Sequence, residues 1–237
     1  MKNKFILLIL LFSLIVLKEV QAQSAGLNFT LGFPQREFND NVKRTGFGGS
    51  LNFNLLDPSS PVNIGINVGY INLGMESRRE YFSSYIPDVY VNVDRTNNLI
   101  NFHLLFQLIV PAGPIRPYVE GLFGGSYLFT ETRIQSMNSD EEVASSNNIT
   151  DFAWSYGAGG GFLIKLTEPG DMQIGSVFLD LKVRYLFGTE AEYLTPGSVY
   201  ISHGIAYYYI SKSKTDMLTA NIGAVVTFNS LFNGGGN

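Results

Sequence analysis

Val177-Phe178-Leu179-Asp180-Leu181-Lys182-Val183-Arg184-Tyr185-Leu186-Phe187 is the stretch on which the fold turns. Its alternate positions Val177, Leu179, Leu181, Val183, Tyr185 and Phe187 are all apolar, and Asp180, Lys182 and Arg184 stand between them. A side-chain period of two belongs to a β-strand with one apolar face, because a helix would scatter these residues around its circumference.

The same period recurs on both sides of this stretch. Leu27, Phe29, Leu31 and Phe33 alternate with Asn28, Thr30 and Gly32; Phe47, Leu51, Phe53 and Leu55 with Ser50, Asn52 and Asn54. Val62, Ile64, Ile66, Val68 and Tyr70 oppose Asn63 and Asn67, and Ile100, Phe102, Leu104, Phe106 and Leu108 oppose Asn101, His103 and Gln107. Further on, Phe152, Trp154, Tyr156, Ala158, Phe162 and Ile164 alternate with Ser155, three glycines and Lys165, and Leu218, Ala220, Ile222, Ala224, Val226 and Phe228 with Thr219, Asn221 and Thr227. The segment around Tyr118 admits either phase. Turning Tyr118, Leu122 and Leu128 to the apolar side would carry Glu120 with them, so Val119, Phe123, Tyr127 and Phe129 are assigned to it. Each segment is long enough for the roughly 9 to 11 residues of a tilted membrane-crossing strand.

Connector lengths alternate too. Residues 57–61, 111–116 and 168–175 are short and rich in Pro or Gly, whereas 35–44, 77–97, 131–150 and 188–215 are long and polar, which predicts short turns at one end and long external loops at the other. With that orientation Tyr70, Tyr127, Phe129, Trp154, Tyr156, Tyr185 and Phe187 fall near the external end of the apolar face, as an aromatic girdle would.

The start of the chain reads as an export signal. Lys2 and Lys4 precede an apolar run over residues 5–17 that only Ser13 interrupts, and Val20-Gln21-Ala22 forms a small-residue cleavage site, so residues 1–22 are expected to be a signal peptide and 23–237 a barrel domain. The run is closer in length to a signal core than to the roughly 20 residues of a spanning helix. Without residues 1–22 the 16 basic and 20 acidic residues become 13 and 19, an acidic balance that speaks against nucleic acid as a partner. The chain has no cysteine, which excludes a lipoprotein anchor, disulfides and thiolate chemistry. Charged residues are only 15% of it, against about 25% in ordinary soluble proteins, too few to cover a soluble surface. No apolar run after residue 17 is long enough for a helix to cross a bilayer, so a membrane form must cross as closed strands.

Alternation alone fits a soluble barrel with its apolar side inward as well. The composition of the polar face favours the opposite sense. It is mostly Gly, Asn and Ser rather than the Lys, Glu and Thr of a wetted sheet, and small residues suit the narrow interior of about eight strands. The expected fold is an eight-stranded antiparallel up-and-down transmembrane β-barrel in the cell outer membrane.

Arg116-Pro117-Tyr118-Val119-Glu120-Gly121-Leu122-Phe123-Gly124-Gly125 and Trp154-Ser155-Tyr156-Gly157-Ala158-Gly159-Gly160-Gly161 resemble the small outer-membrane β-barrel superfamily of OmpX-like proteins and OmpA transmembrane domains. The resemblance spans nearly the whole mature chain and implies the fold, with no common catalytic residues. It also implies that an aromatic near the end of the last strand is read by the barrel-insertion machinery. Phe228 fits that role, with Phe232 as the other candidate.

His103, Glu120, Lys165, Asp180, Lys182 and Arg184 form the ionisable set on the inner face. Near-balanced charges in a low-dielectric tube demand mutual pairing, so a structural network is expected rather than a pore. Asp180 and Arg184 are expected to be coupled within it.

A rim-acting hydrolase on envelope lipid is the alternative function, and Ser202-His203 with Glu190 and Glu192 is the cluster that would carry it. Neighbours on a strand point to opposite faces, which weakens it. Asn148-Ile149-Thr150 is read as loop despite its sequon, and Asp140-Glu141-Glu142 as a solvated charge run without the ligand spacing of a calcium loop. Tyr193, Tyr200, Tyr207, Tyr208 and Tyr209 suit either external recognition or β-extensions packing on themselves. The reading is a non-enzymatic barrel without cofactor or metal. Its partners are outer-membrane lipid, the insertion machinery and an external molecule at the loops.

Overall fold

The computed structural model describes residues 24–56, 60–83, 86–136, 142–167, 174–202 and 205–228. Residues 1–22, expected to be the leader, lie outside these, as do Asp140, Glu141, His203 and Phe232.

Among the described residues the strands are β1 (Ser24–Pro34), β2 (Gly46–Asn54), β3 (Val62–Ser83), β4 (Ile86–Ile109), β5 (Ile115–Ser136), β6 (Glu142–Lys165), β7 (Ile174–Gly188), β8 (Glu190–Ser202), β9 (Ile205–Lys214) and β10 (Met217–Phe228), and a short helix, α1 (Arg36–Val42), lies between β1 and β2. Eight of them close into an antiparallel barrel in the order β1-β10-β7-β6-β5-β4-β3-β2. The remaining pair, β8 and β9, forms its own two-stranded sheet between β7 and β10. Apart from that insertion each strand pairs with its neighbour in sequence, and β1 meets β10 along its whole length, from Ser24↔Thr227 to Pro34↔Met217.

The alternation decides which face is which. Leu27, Leu104 and Phe123 are 64%, 62% and 58% exposed, whereas Asn28, Asn63, Asn67, His103 and Glu120 are buried. The apolar side of every barrel strand faces outward and the polar side lines the lumen, the reverse of a soluble barrel. In β5 the phase set by Glu120 holds: Tyr118, Leu122 and Leu128 are buried, and Val119 and Tyr127 exposed. Tyr156 stacks on Phe187 at 5.6 Å, Phe123 on Trp154 at 5.9 Å, and Tyr127 lies 6.0 Å from Phe129, so much of the expected aromatic girdle is in mutual contact.

At one end the connectors from β2 to β3, β4 to β5 and β6 to β7 are short in sequence. In the second of these Gly113 adopts φ +97°, a left-handed conformation that only glycine reaches without cost. At the other end the long connectors are not loops. The β3–β4 ladder runs to Ser83↔Ile86, β4–β5 to Val91↔Ser136 and β5–β6 to Gln135↔Glu142, whereas β6–β7 stops at Ser155↔Gly188. Residues 77–97 and 131–150 are therefore mostly strand. Val89, Val91 and Val93 alternate with polar residues, and that β-branched pattern outweighs the polar content that had suggested loops. The strands β3 to β6 reach 22 to 24 residues against 11 in β1 and 9 in β2, so one side of the barrel rises as a four-stranded wall.

Candidate functional site: the lumen and its cap

The lumen is layered. Toward the short-turn end lies an ionic layer in which β7 supplies both cations. The Arg184 Nε donates to Glu120 Oε1 at 2.6 Å and its Nη2 to Oε2 at 3.2 Å, a two-toothed bond from β7 over Gly159 of β6 to β5. Gln107 of β4 donates to the same Glu120 Oε2 at 2.9 Å. Lys182 Nζ donates to Asp180 Oδ2 at 2.6 Å, and the Tyr118 hydroxyl to Asp180 Oδ1 at 2.7 Å. With its amide turned to suit both neighbours, Asn28 donates to Asp180 at 3.1 Å and accepts from Asn52 at 2.7 Å and Lys182 at 3.2 Å.

Glu120, Asp180, Lys182 and Arg184 are each under 5% exposed and balance in charge. The expected coupling of Asp180 with Arg184 is corrected by this geometry: the pairs are Asp180 with Lys182 and Glu120 with Arg184. Both Asp180 and Arg184 sit on one strand, four residues apart, while the partner carboxylate reaches Arg184 from β5, along the row in which Gly159 of β6 stands between them. Lys165 holds the last position of β6, half-buried. It lies one inward step nearer the short-turn rim than the Leu163↔Asp180 level and borders the network from below.

Next comes a layer of neutral hydrogen bonds. His103 Nε2 shares one with Ser155 Oγ at 3.0 Å, Ser126 donates to Asn101 Oδ1 at 2.7 Å, and Thr30 donates to Asn221 Oδ1 at 2.7 Å. Above it the inner face changes character. Ile71, Leu73, Leu99, Leu128, Ala153 and Met217 are apolar and buried, and they pack with Phe38 and Val42 of α1 and with Ala191 and Tyr193 of β8. This is a hydrophobic cap over the external mouth.

The cap forms because α1 places Phe38 and Val42 one turn apart on a single face, and β8 turns Ala191 and Tyr193 toward them. Phe38 meets the Tyr193 ring edge-on at 5.3 Å. The Tyr193 hydroxyl accepts from Asn41 Nδ2 at 2.9 Å and shares a 2.6 Å bond with Ser213. Burial pushes the Tyr193 phenol up, so it stays protonated and keeps both bonds. Arg36 ties the helix start to Asp216 at 3.3 Å, and Asp216 also accepts from the Gly188 amide at 3.1 Å.

None of this cap was read from the sequence. Its signal was present: at the external end of β3, β4, β5, β6 and β10 the inward positions turn from polar to apolar, and Phe38 and Val42 have helical spacing.

Of the candidate hydrolytic cluster, His203 lies outside the described residues, and Glu190 and Ser202 are not brought together. Glu190 opens the 13-residue β8 and pairs with exposed Lys212 at 3.4 Å, while Ser202 ends it. At about 3.3 Å per residue, roughly 30 Å or more separates them. The exposed Glu192 presents its amide to Asp151 at 2.7 Å. Of the tyrosines, Tyr193 is structural and Tyr209 is exposed. Phe228 closes β10 beyond a register shift after Val226, facing outward. Among the described residues no cluster of His, Asp or Glu could hold a metal ion.

The chain matches no family model and no curated protein. Among solved structures it is similar to Neisserial surface protein A (NspA), at 9% identity and TM-score 0.42, over 87% of this chain and 96% of that one. It is also similar to the N-terminal β-barrel domain of Pseudomonas aeruginosa OprF, at 14% identity and TM-score 0.31, over 87% and 98%. A third is a major outer membrane protein from Thermus thermophilus, at 14% and 0.30, over 86% and 99%. At such identities no residue's role carries across.

Proposed function

We propose that the chain is an integral outer-membrane barrel without catalytic activity, a closed cylinder that presents the β3 to β6 wall and the β8–β9 hairpin outside the cell. One observation carries this reading: large apolar side chains cover the outside of a closed barrel whose inside is polar and ion-paired. In water that arrangement would expose far more apolar surface than a soluble monomer tolerates, whereas hydrocarbon requires it, with every barrel strand hydrogen-bonded on both sides.

The rising wall supports a surface role. About half of each 22- to 24-residue strand exceeds what a crossing needs. An external partner at this wall and an insertion role for Phe228 belong to the same proposal. The test is fractionation with surface proteolysis. The protein is expected in the outer-membrane fraction, cleaved by added protease between β3 and β4 or between β5 and β6 in intact cells. Recovery in the soluble periplasmic fraction would overturn the reading.

A further inference from the structure

Among the described residues, the two that hold a positive φ without being glycine are Arg36, at 52°, and Lys43, at 51°. They stand at the two ends of α1, Arg36 as its first residue and Lys43 as its C-cap. A side chain in the left-handed region crowds its own backbone, so such a residue persists only where its surroundings impose it. The chain just outside each of them is anchored. The Gln35 amide donates to the Asp216 carbonyl at 2.9 Å, and the Gln35 Nε2 to the Phe33 carbonyl at 3.0 Å. Beyond Lys43, the Arg44 guanidinium donates to the Met75 carbonyl of β3.

Between these anchors the helix is held from below, by burial of Phe38 and Val42 and by the bond from Asn41 to the Tyr193 hydroxyl. Its seating is incomplete: Val42 borders two small spaces of about 10 Å³ each, and Leu73 of β3 lines both. Seven residues without a side-chain cap do not sustain a helix by themselves. We infer that α1 is a sprung lid on the external mouth, in which residues 37–42 swing as a unit about Arg36 and Lys43 and the backbone strain of the two hinges is released when the lid lifts.

Apolar contact draws the lid down and the hinges oppose it. A permanent plug has no use for that opposition, since glycine at both positions would keep the shape without the strain. When closed, the lid presents Glu37, Asn39 and Asp40 to solvent. Lifting it uncovers Leu73 and the apolar cluster that includes Ile71, Leu99 and Met217, while the neutral and ionic layers below, carried by barrel strands, stay in place. The mouth thus switches from a polar to an apolar surface without opening a pore.

The chain has no cysteine, so one introduced thiol reports on one place. The test times the labelling of Leu73→Cys, buried beneath the lid, by a water-soluble maleimide in the folded full-length protein, with heat-modifiable migration showing that each variant is folded. If Leu73→Cys does not fold, Met217→Cys of β10 takes its place as reporter. Adding Arg36→Gly and Lys43→Gly should slow labelling about threefold or more, because glycine enters the left-handed region without strain and the closed form gains. Asn39→Gly, in the exposed middle of α1, should instead speed it, because there glycine only weakens the helix. Phe38→Ala, which removes the main apolar contact, should speed it further. Hinge glycines that leave the rate unchanged or raise it would overturn the inference, as would a thiol beneath the lid that never labels.

Discussion

Arg184 illustrates what a single residue does in this lumen. Its guanidinium is almost wholly buried and meets both oxygens of Glu120. Removing one member leaves the other charge in low dielectric without its partner, a loss of about 3 to 5 kcal/mol, while replacing both can be nearly neutral. Arg184→Ala and Glu120→Ala should each lower the urea midpoint of the folded barrel, and the double variant should fall by less than the sum, with a coupling on the order of 1 kcal/mol or more. Asp180→Ala with Arg184→Ala should be closer to additive, because Asp180 is held by Lys182 and Tyr118. Urea titrations of the five variants would show the reverse ranking if Asp180 were the true partner. Which residues are inside was legible in the sequence, because parity along a strand sets the face. Which carboxylate meets which cation was not, since that depends on the register in which β5, β6 and β7 pair and on the reach of side chains along a row. Glycines separate in the same way. An added Cβ at Gly124 would fall on the Phe102 carbonyl oxygen, whereas one at Gly121 meets nothing within 4 Å. Gly124→Val should therefore abolish the heat-modifiable band on unboiled gels and Gly121→Val should leave it unchanged. Equal folding of both would show that the β4–β5 contact yields.

At the scale of elements, the strands that cross were legible and the pieces that cap them were not. Period-two patterns such as Ile100 to Leu108 are long, uninterrupted and set by the contrast between two environments. In α1 only Phe38 and Val42 mark the buried face of seven residues, and the short helix is held by the barrel mouth and not by propensity, its start lacking any side-chain cap. Tyr193 likewise looked like one of several loop tyrosines until β8 was seen to fold back over the lumen. The cap is a small core in its own right, so truncating its centre should loosen it without touching the barrel below. Phe38→Ala should cost about 3 to 5 kcal/mol within the cap. Hydrogen exchange should then quicken in α1 and β8 while β7 and β10 stay protected. Tyr193→Phe, which removes the hydroxyl bonds to Asn41 and Ser213 but keeps the ring on Phe38, should have a much smaller effect, about 1 kcal/mol. Exchange that quickens equally throughout β7 and β10 would mean the cap and barrel unfold as one unit.

For the whole molecule the question is whether anything passes through it. An eight-stranded barrel encloses a space that side chains can just fill, and here two different fillings lie in series. The external one is apolar and is shared between barrel residues such as Leu99, Leu128 and Met217 and two elements inserted between barrel strands, α1 and the β8–β9 hairpin. The internal one is ionic and is carried by barrel strands themselves, where Arg184 spans from β7 to Glu120 on β5 and Gln107 adds a third strand. Beneath it, among the described residues, a space lined by Asn52, Asn63, Tyr118 and Lys182 measures about 30 Å³. That is room for a few waters and not for a hydrated ion's path. Opening the cap alone should therefore expose an apolar bowl without making a channel. Replacing residues 189–215 by a short turn removes Ala191 and Tyr193. In planar bilayers this variant is expected to be as silent as the parent, although it should bind an apolar fluorescent dye that the parent does not. Combining the same replacement with Arg184→Ala removes the second barrier and should give small, reproducible conductance steps. Steps from the shortened barrel with Arg184 intact would show that the ionic layer is wet and permeable, and the protein would then have to be read as a pore with a lid.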